Sequence, residues 1–237
     1  MMVKRAHMVS RGYLRSWADS ANRVNVWDLE HRLAGLRSIN GATVVSYAYE
    51  TKYTTLDLEA EYARIEGDGI PALHALADGG QLQNAGREAV VEFLDMHHQR
   101  GRFADQAAVK IPAVALGLGI EPHPIEMGLG DRLTLSRDVD KTSIRMSSLG
   151  LTRRRWRVEA VESGLATSDG AVMLWQDAND PAVRSVTFPL SPTRLLVIGE
   201  EIDTRHIELN RLIVAASRRW IVDRVDGEVS RRLSFAS

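Results

Sequence analysis

The chain has 237 residues, 44% of them hydrophobic, which is enough to bury a substantial core across residues 1–237 and too apolar for a disordered polypeptide. It has no cysteine, which excludes a disulfide frame, a thiol nucleophile and a thiolate metal site, and suits a reducing, cytoplasmic location. The formal net charge of -1 excludes a global field for nucleic acid, and no apolar run approaches the roughly 18 residues of a membrane span or the block of a secretion signal.

The segment Gly12 to Asp19 reads as a short helix, and the alternation Val24-Asn-Val-Trp27 as a strand. Thr43 to Tyr49 reads as a second strand. A helix capped by Thr54 or Thr55 is expected to run to Glu66, where Gly67 and Gly69 should stop it, with Pro71 opening a short helix through Ala77. Asn84 caps a helix to Arg100 that ends at Gly101, and a third helix is predicted over Ala104 to Leu118, bent at Pro112. Glu121 to Gly150 reads as a Pro- and Gly-rich loop with a weak helix from about Leu135 to Met146.

Beyond this helical centre, about residues 54–146, the chain turns β-rich from about 152 to 237. Trp156 to Val161, Leu165 to Thr167, Ala171 to Trp175, Arg184 to Phe188 and Leu195 to Ile198 are short runs that predict an antiparallel sheet. A final helix from Asp203 to Arg219 and a strand from Trp220 to Val225 close the chain. The expected class is α+β: N-terminal strands and central helices packed on a C-terminal antiparallel sheet, in a single domain.

Helical phase picks out the candidate site. From Leu56 to Asp68, Leu58, Tyr62 and Ile65 share one face, while Glu59 and Glu66 lie two turns apart, about 10 Å, along its semi-buried edge. From Asn84 to Arg100, His97 falls at the centre of the apolar face set by Val90, Phe93 and Leu94, with Arg100 one turn later. A guanidinium does not discharge, so Arg100 needs a carboxylate, a phosphate or water, and Glu59 or Glu66 is the natural partner. In the last helix, Asn210 interrupts an apolar stripe and reads more readily as a tie to a loop carbonyl.

Thr167-Ser168-Asp169-Gly170 either ends a strand in a turn or presents Ser168 and Asp169 from a strand end. Phe188-Pro-Leu-Ser191-Pro192 suggests a stiff connection carrying one hydroxyl. Two arginine clusters, Arg153, Arg154, Arg155 and Arg157 around Trp156, and Arg218, Arg219, Arg224, Arg231 and Arg232 near the end, read first as solvated charge and second as phosphate contacts.

Taken in order, His7-Met-Val-Ser-Arg-Gly-Tyr13-Leu14, the Glu59 to Glu66 helix, His97 to Arg100, Thr167-Ser-Asp169 and Phe188-Pro-Leu-Ser-Pro192 resemble the landmarks of a large bacterial family, domain of unknown function four-two-three-eight. The similarity runs from His7 to at least Trp220. Members usually carry Pro at the place of Ser10, Gln at that of His97, and Asn-Pro after the aspartate. The resemblance implies one α+β domain and a shared polar site built from His7, Glu59, Glu66, Arg100 and Asp169. It implies no activity.

Three functions fit these residues. His7, Glu59, Glu66, His97, Arg100 and Asp169 could form the acid, base and oxyanion-holding groups of a hydrolase acting on phosphate esters or nucleic acid, with a divalent metal as one means of assistance and Tyr13, Ser168, Ser191 and Asn210 contacting substrate. The same groups could bind a small polar ligand without turnover, as a sensing module does. Or they could be a buried network that fixes the fold. The sequence has no Gly-x-Ser-x-Gly, and Gly117-Leu-Gly119 lacks a third glycine, so neither a serine elbow nor a nucleotide cofactor is expected. Oligomeric state is not legible.

Overall fold

The computed structural model describes residues 5–53, 56–117, 120–139, 144–227 and 229. Its elements in chain order are β1 (Arg5–His7), α1 (Arg11–Leu14), β2 (Arg23–Asp28), β3 (Leu33–Ser38), β4 (Val44–Ser46), α2 (Leu58–Ala77), α3 (Asn84–Gly101), β5 (Ile111–Gly117), β6 (Ile120–Met127), α4 (Leu129–Val139), β7 (Trp156–Ala160), β8 (Thr167–Ser168), β9 (Met173–Asp177), β10 (Asp180–Ser191), β11 (Arg194–Gly199), α5 (Leu209–Ala216) and β12 (Trp220–Asp223). The fold is α+β, as the sequence predicts, and its sheets are antiparallel.

The order β7-β11-β10-β9 forms the main sheet, and β11 shows how it is covered. Leu196 and Ile198 face a core shared with Phe93 and Leu94 of α3 and Leu73 of α2; Leu195 and Val197, on the other face, pack with Leu209 and Ile213 of α5. Period-two alternation thus buries both faces of one strand, which is why its run is continuously apolar. The second sheet, β3-β2-β12-β8, pairs the early strand β2 with the late strand β12, whose other side holds the short edge strand β8.

Four expectations are corrected. First, α2 runs unbroken from Leu58 to Ala77 through Gly67, Gly69 and Pro71, capped by Asp57, whose side chain accepts from the Ala60 N–H at 3.1 Å; Thr54 and Thr55 lie outside the described residues. Gly69 is there for packing: a Cβ on it would stand 2.7 Å from Phe93 Cβ and 3.1 Å from the Ala89 carbonyl, so the glycine sets how closely α2 and α3 approach. The carbonyl that Pro71 leaves without a donor is that of Gly67, on the exposed side where water serves.

Second, Ala104 to Leu118 is not a helix but a 3-10 turn, Ala104–Gln106, followed by β5; Leu118 lies outside the described residues. Pairing with β6, a Pro-containing stretch with the local character of a loop, overrides the local apolar pattern. Third, the weak helix begins earlier, as α4 from Leu129, and residues 140–143 of the expected span lie outside the described ones. Fourth, the last helix is only Leu209–Ala216, because the chain turns extended at Ser217 and the next three residues point their N–H groups at Asp169. Among the described elements this helix is followed by β12, inside the predicted Trp220 to Val225 strand. β1 and β3 were not anticipated, and the helix at Asn84 has Gln83 as its N-cap residue.

Two glycine substitutions in α2 should separate propensity from packing. No atom lies within 4 Å of a Cβ built on Gly67, so Gly67→Ala should raise stability by roughly 0.5–1 kcal/mol through helix propensity alone. Gly69→Ala should lower it by about 1–3 kcal/mol through overpacking against Phe93. Urea unfolding of both variants checks the opposite signs.

Candidate functional site

The sequence carries Arg100 into the interior because it stands on the apolar face of α3, one turn after His97, where it is 1% exposed. A charge there is tolerated only when its donors are met. Nη1 donates to Glu66 Oε1 at 3.1 Å, to the His7 carbonyl at 3.1 Å and to the Tyr49 hydroxyl at 3.4 Å, and Nη2 donates to Ser10 Oγ at 2.7 Å. The guanidinium carbon lies 5.2 Å from the centre of the Tyr62 ring. Burial works against the charge, but Tyr49, Glu66 and Tyr62 outweigh it and hold the Arg100 pKa above its ordinary value. Nε has no partner among the described residues.

Glu66 is the other half of this centre. Its Oε1 accepts from Arg100 and, at 2.6 Å, from the Ser10 hydroxyl, while the side chain as a whole is 27% exposed. One carboxylate oxygen is thus tied inward and the residue still reaches the surface. Tyr49 closes the ring by donating to the His7 carbonyl at 3.0 Å. Glu59, half-buried two turns away on the same edge of α2, is near enough that its charge and that of Glu66 help push the Tyr49 phenol upward, behind the larger effect of burial.

His7 ends β1, which pairs with β4 through His7 and Val44. Its Nδ1 lies 3.2 Å from the Ala42 carbonyl, which only accepts, so the proton sits on Nδ1 and Nε2 carries a lone pair. Burial lowers its pKa, and the opposing pulls of the Ala42 carbonyl and Glu66 do not restore it. The ring is half-buried, beside Arg11 as well as Arg100.

His97 and Asp169 belong to a second, closed knot at the end of α3. His97 Nε2 donates to the Ser168 carbonyl at 2.9 Å, and the ring stacks on Phe93 and meets Tyr13 and Phe188 edge-on. Burial, then the Arg100 charge, lowers its pKa to about 3, so it is neutral, and Nδ1 has no partner among the described residues. Asp169 is 1% exposed and accepts three backbone N–H groups, from Arg218, Arg219 and Trp220, each at 2.8 Å. Burial pushes its carboxyl up to about 6 against those three donors. Gly101 and Gly170 let the backbones meet: a Cβ on Gly101 would collide with the Asp169 carbonyl, and one on Gly170 with that of Ala216.

The four residues expected at a substrate are bound to protein groups. The Tyr13 hydroxyl bonds Thr167 Oγ1 and the Pro189 carbonyl, both at 2.7 Å, and its ring stacks on Phe188. Ser168 Oγ accepts from the Gly170 N–H, and Ser191 Oγ from that of Thr193. Asn210 joins the Gly164 carbonyl to the Ala166 N–H, as its reading as a loop tie anticipates.

The structure therefore brings His7, Glu66 and Arg100 together, with Glu59 close by, and sets His97 and Asp169 apart in their own packing. Ser10, Tyr49 and Tyr62 were missed as members of the centre. Tyr62 was legible as an inward position of α2; Ser10 and Tyr49 give no local signal, because their roles depend on contacts 51 to 90 positions along the chain. The proposed metal ligands do not gather: among the described residues, only Asp28, Glu30 and His31 place three ligand atoms within 4.8 Å of one another. In that cluster both carboxylates are already engaged by Arg219, which reaches Asp28 at 3.3 Å and Glu30 at 2.5 Å.

His97 should make the protein acid-sensitive. Between about pH 3 and 6.5 the unfolded chain binds a proton that the folded imidazole refuses, so stability falls as pH drops through this window, by up to about 1.4 kcal/mol per pH unit. Asp169 works in the opposite sense between about 4 and 6, where the folded carboxyl holds the extra proton. The contribution of His97 is read by difference: His97→Gln, which keeps a donor for Ser168, should flatten the pH dependence of urea stability relative to the parent.

No curated protein and no solved structure matches the chain significantly. The family described as "Protein of unknown function (DUF4238)" matches residues 5–226, a span that contains both polar centres and all twelve strands. The chain belongs to that family.

Proposed function

We propose that the protein is a hydrolase of phosphate esters, with nucleic-acid phosphodiesters within its range, and that His7 is its general base. The observation that carries this reading is the state of the His7 ring: Nδ1 is fixed on the Ala42 carbonyl, Nε2 is left as an acceptor, and burial keeps the imidazole neutral at neutral pH. Behind it, Arg100 ties the His7 carbonyl to Glu66, which holds the base in one place.

In hydrolysis a water proton passes to His7 Nε2 as the water oxygen bonds phosphorus; the ester P–O bond breaks and the leaving oxygen takes a proton from the histidinium. Glu66, whose Oε1 is tied inward to Ser10 and Arg100, orients that water in this reading. Arg100 is too deeply buried to touch an outside anion. Arg11, exposed and near enough for its charge to act on His7, is the cation that fits a phosphate.

The second reading, a purely structural network, is favoured by the closure of Arg100, His97 and Asp169, each 1% exposed. The two readings part at His7. In the hydrolase, His7→Gln should cut turnover of p-nitrophenyl phosphate, bis-p-nitrophenyl phosphate or a short oligonucleotide by about 10²-fold or more while barely shifting the melting temperature. Absence of turnover by the parent on all three, or equal turnover by the variant, contradicts it. A melting shift with a phosphate ester and no turnover would instead mark a binding module.

A further inference from the structure

The arginine cluster around Trp156 takes no part in either polar centre, and it lies on the edge strand of the main sheet. Among the described residues β7 pairs only with β11, from Trp156 opposite Ile198 to Ala160 opposite Arg194. Just outside this ladder the Gly199 N–H donates to the Arg155 carbonyl and the Val161 N–H to that of Thr193. Alternation then turns the backbone groups of Arg157 and Glu159 toward β11, and those of Trp156, Val158 and Ala160 outward. These outward N–H and C=O groups make no hydrogen bond among the described residues, so the strand offers a comb of donors and acceptors along its free edge.

Hollows flank both ends of that comb. One, of about 420 Å³, is walled by Leu76, Leu82, Trp156 and Val158; the other, of about 600 Å³, by Ala160, Val161, Ile207 and Leu209. At the first end, Arg87 lies over the Trp156 ring at 5.4 Å, and Arg153 and Arg155 are exposed. None of these three arginines has a carboxylate partner among the described residues.

We propose that the free edge of β7 docks an extended segment of a partner protein, added as a further strand, with apolar side chains seated in the hollows and acidic residues against Arg87, Arg153 and Arg155. The unpaired backbone comb selects a polypeptide over a nucleic acid, since a phosphate backbone has no alternating N–H and C=O groups to match it. The unneutralised arginines select an acidic one.

The test uses the full chain and a labelled peptide, Thr-Val-Thr-Val-Thr-Val-Asp-Glu, followed by fluorescence anisotropy. Binding should saturate, and methylating the three valine nitrogens or the three threonine nitrogens should have unequal effects, one abolishing binding and the other leaving it, because only one set faces β7. Replacing the two acids by lysine, or the double charge reversal Arg153→Glu with Arg155→Glu, should weaken binding by about tenfold. The reversal variant should melt like the parent. Amide exchange at Trp156, Val158 and Ala160 should slow when peptide is added. No binding, equal effects of the two methylated series, tighter binding of oligo-dT than of peptide, or a dimer of the chain that the charge reversal breaks would each overturn the proposal.

Discussion

A guanidinium that cannot lose its proton is sealed in the interior, and the chain is organised around meeting it. Arg100 has a helix-borne carboxylate in Glu66, a hydroxyl on either side in Ser10 and Tyr49, and a strand-end carbonyl in His7. Four stretches of backbone, β1 with its following turn, the approach to α2, α2 and α3, are thereby fixed relative to one another by one side chain. Burial of an unmatched charge would cost several kcal/mol, so each partner is held by the others' presence. The apolar packing around it sets density, while the polar contacts set which residues meet.

The same arrangement divides the polar residues into two kinds. His97 and Asp169 are closed in and tied to backbone: one joins α3 to β8, the other gathers the turn that starts β12. His7 and Glu66 form the half-buried rim of this interior, each committed to a protein group. A rim group anchored from behind is what acid–base chemistry requires, because its position is defined before a ligand arrives. The hydrolytic reading rests on the rim, and the structural reading describes the interior behind it.

How much of this could be read from the sequence depends on how local each cause was. The phase of α3 put His97 and Arg100 on the apolar face and named Glu66 as a carboxylate partner, because helical geometry is a short-range property. The strands β2, β7, β9, β11 and β12 were legible for the same reason. Ile111-Pro-Ala-Val-Ala-Leu was read as helix because a short apolar run has no period of its own, and what makes it a strand is β6 beside it. Gly69 was read as a stop signal when its role is a close crossing with Phe93, a contact 24 positions away in the sequence. Asp169 was recognised as a strand-end residue, yet its three donors come from Arg218 to Trp220, about 50 residues on. Only the fold could show that it faces the backbone and not a ligand.

The most direct test of the central claim is a double-mutant cycle on Glu66 and Arg100, read by urea unfolding at pH 7. With Arg100 in place, Glu66→Gln should cost about 3 kcal/mol, because the guanidinium is left without its carboxylate. In the background of Arg100→Met, which fills similar volume without charge, the same substitution should cost little. Equal costs in the two backgrounds would mean that the pair is uncoupled, and would contradict the account of Arg100 as the charge on which the fold is built.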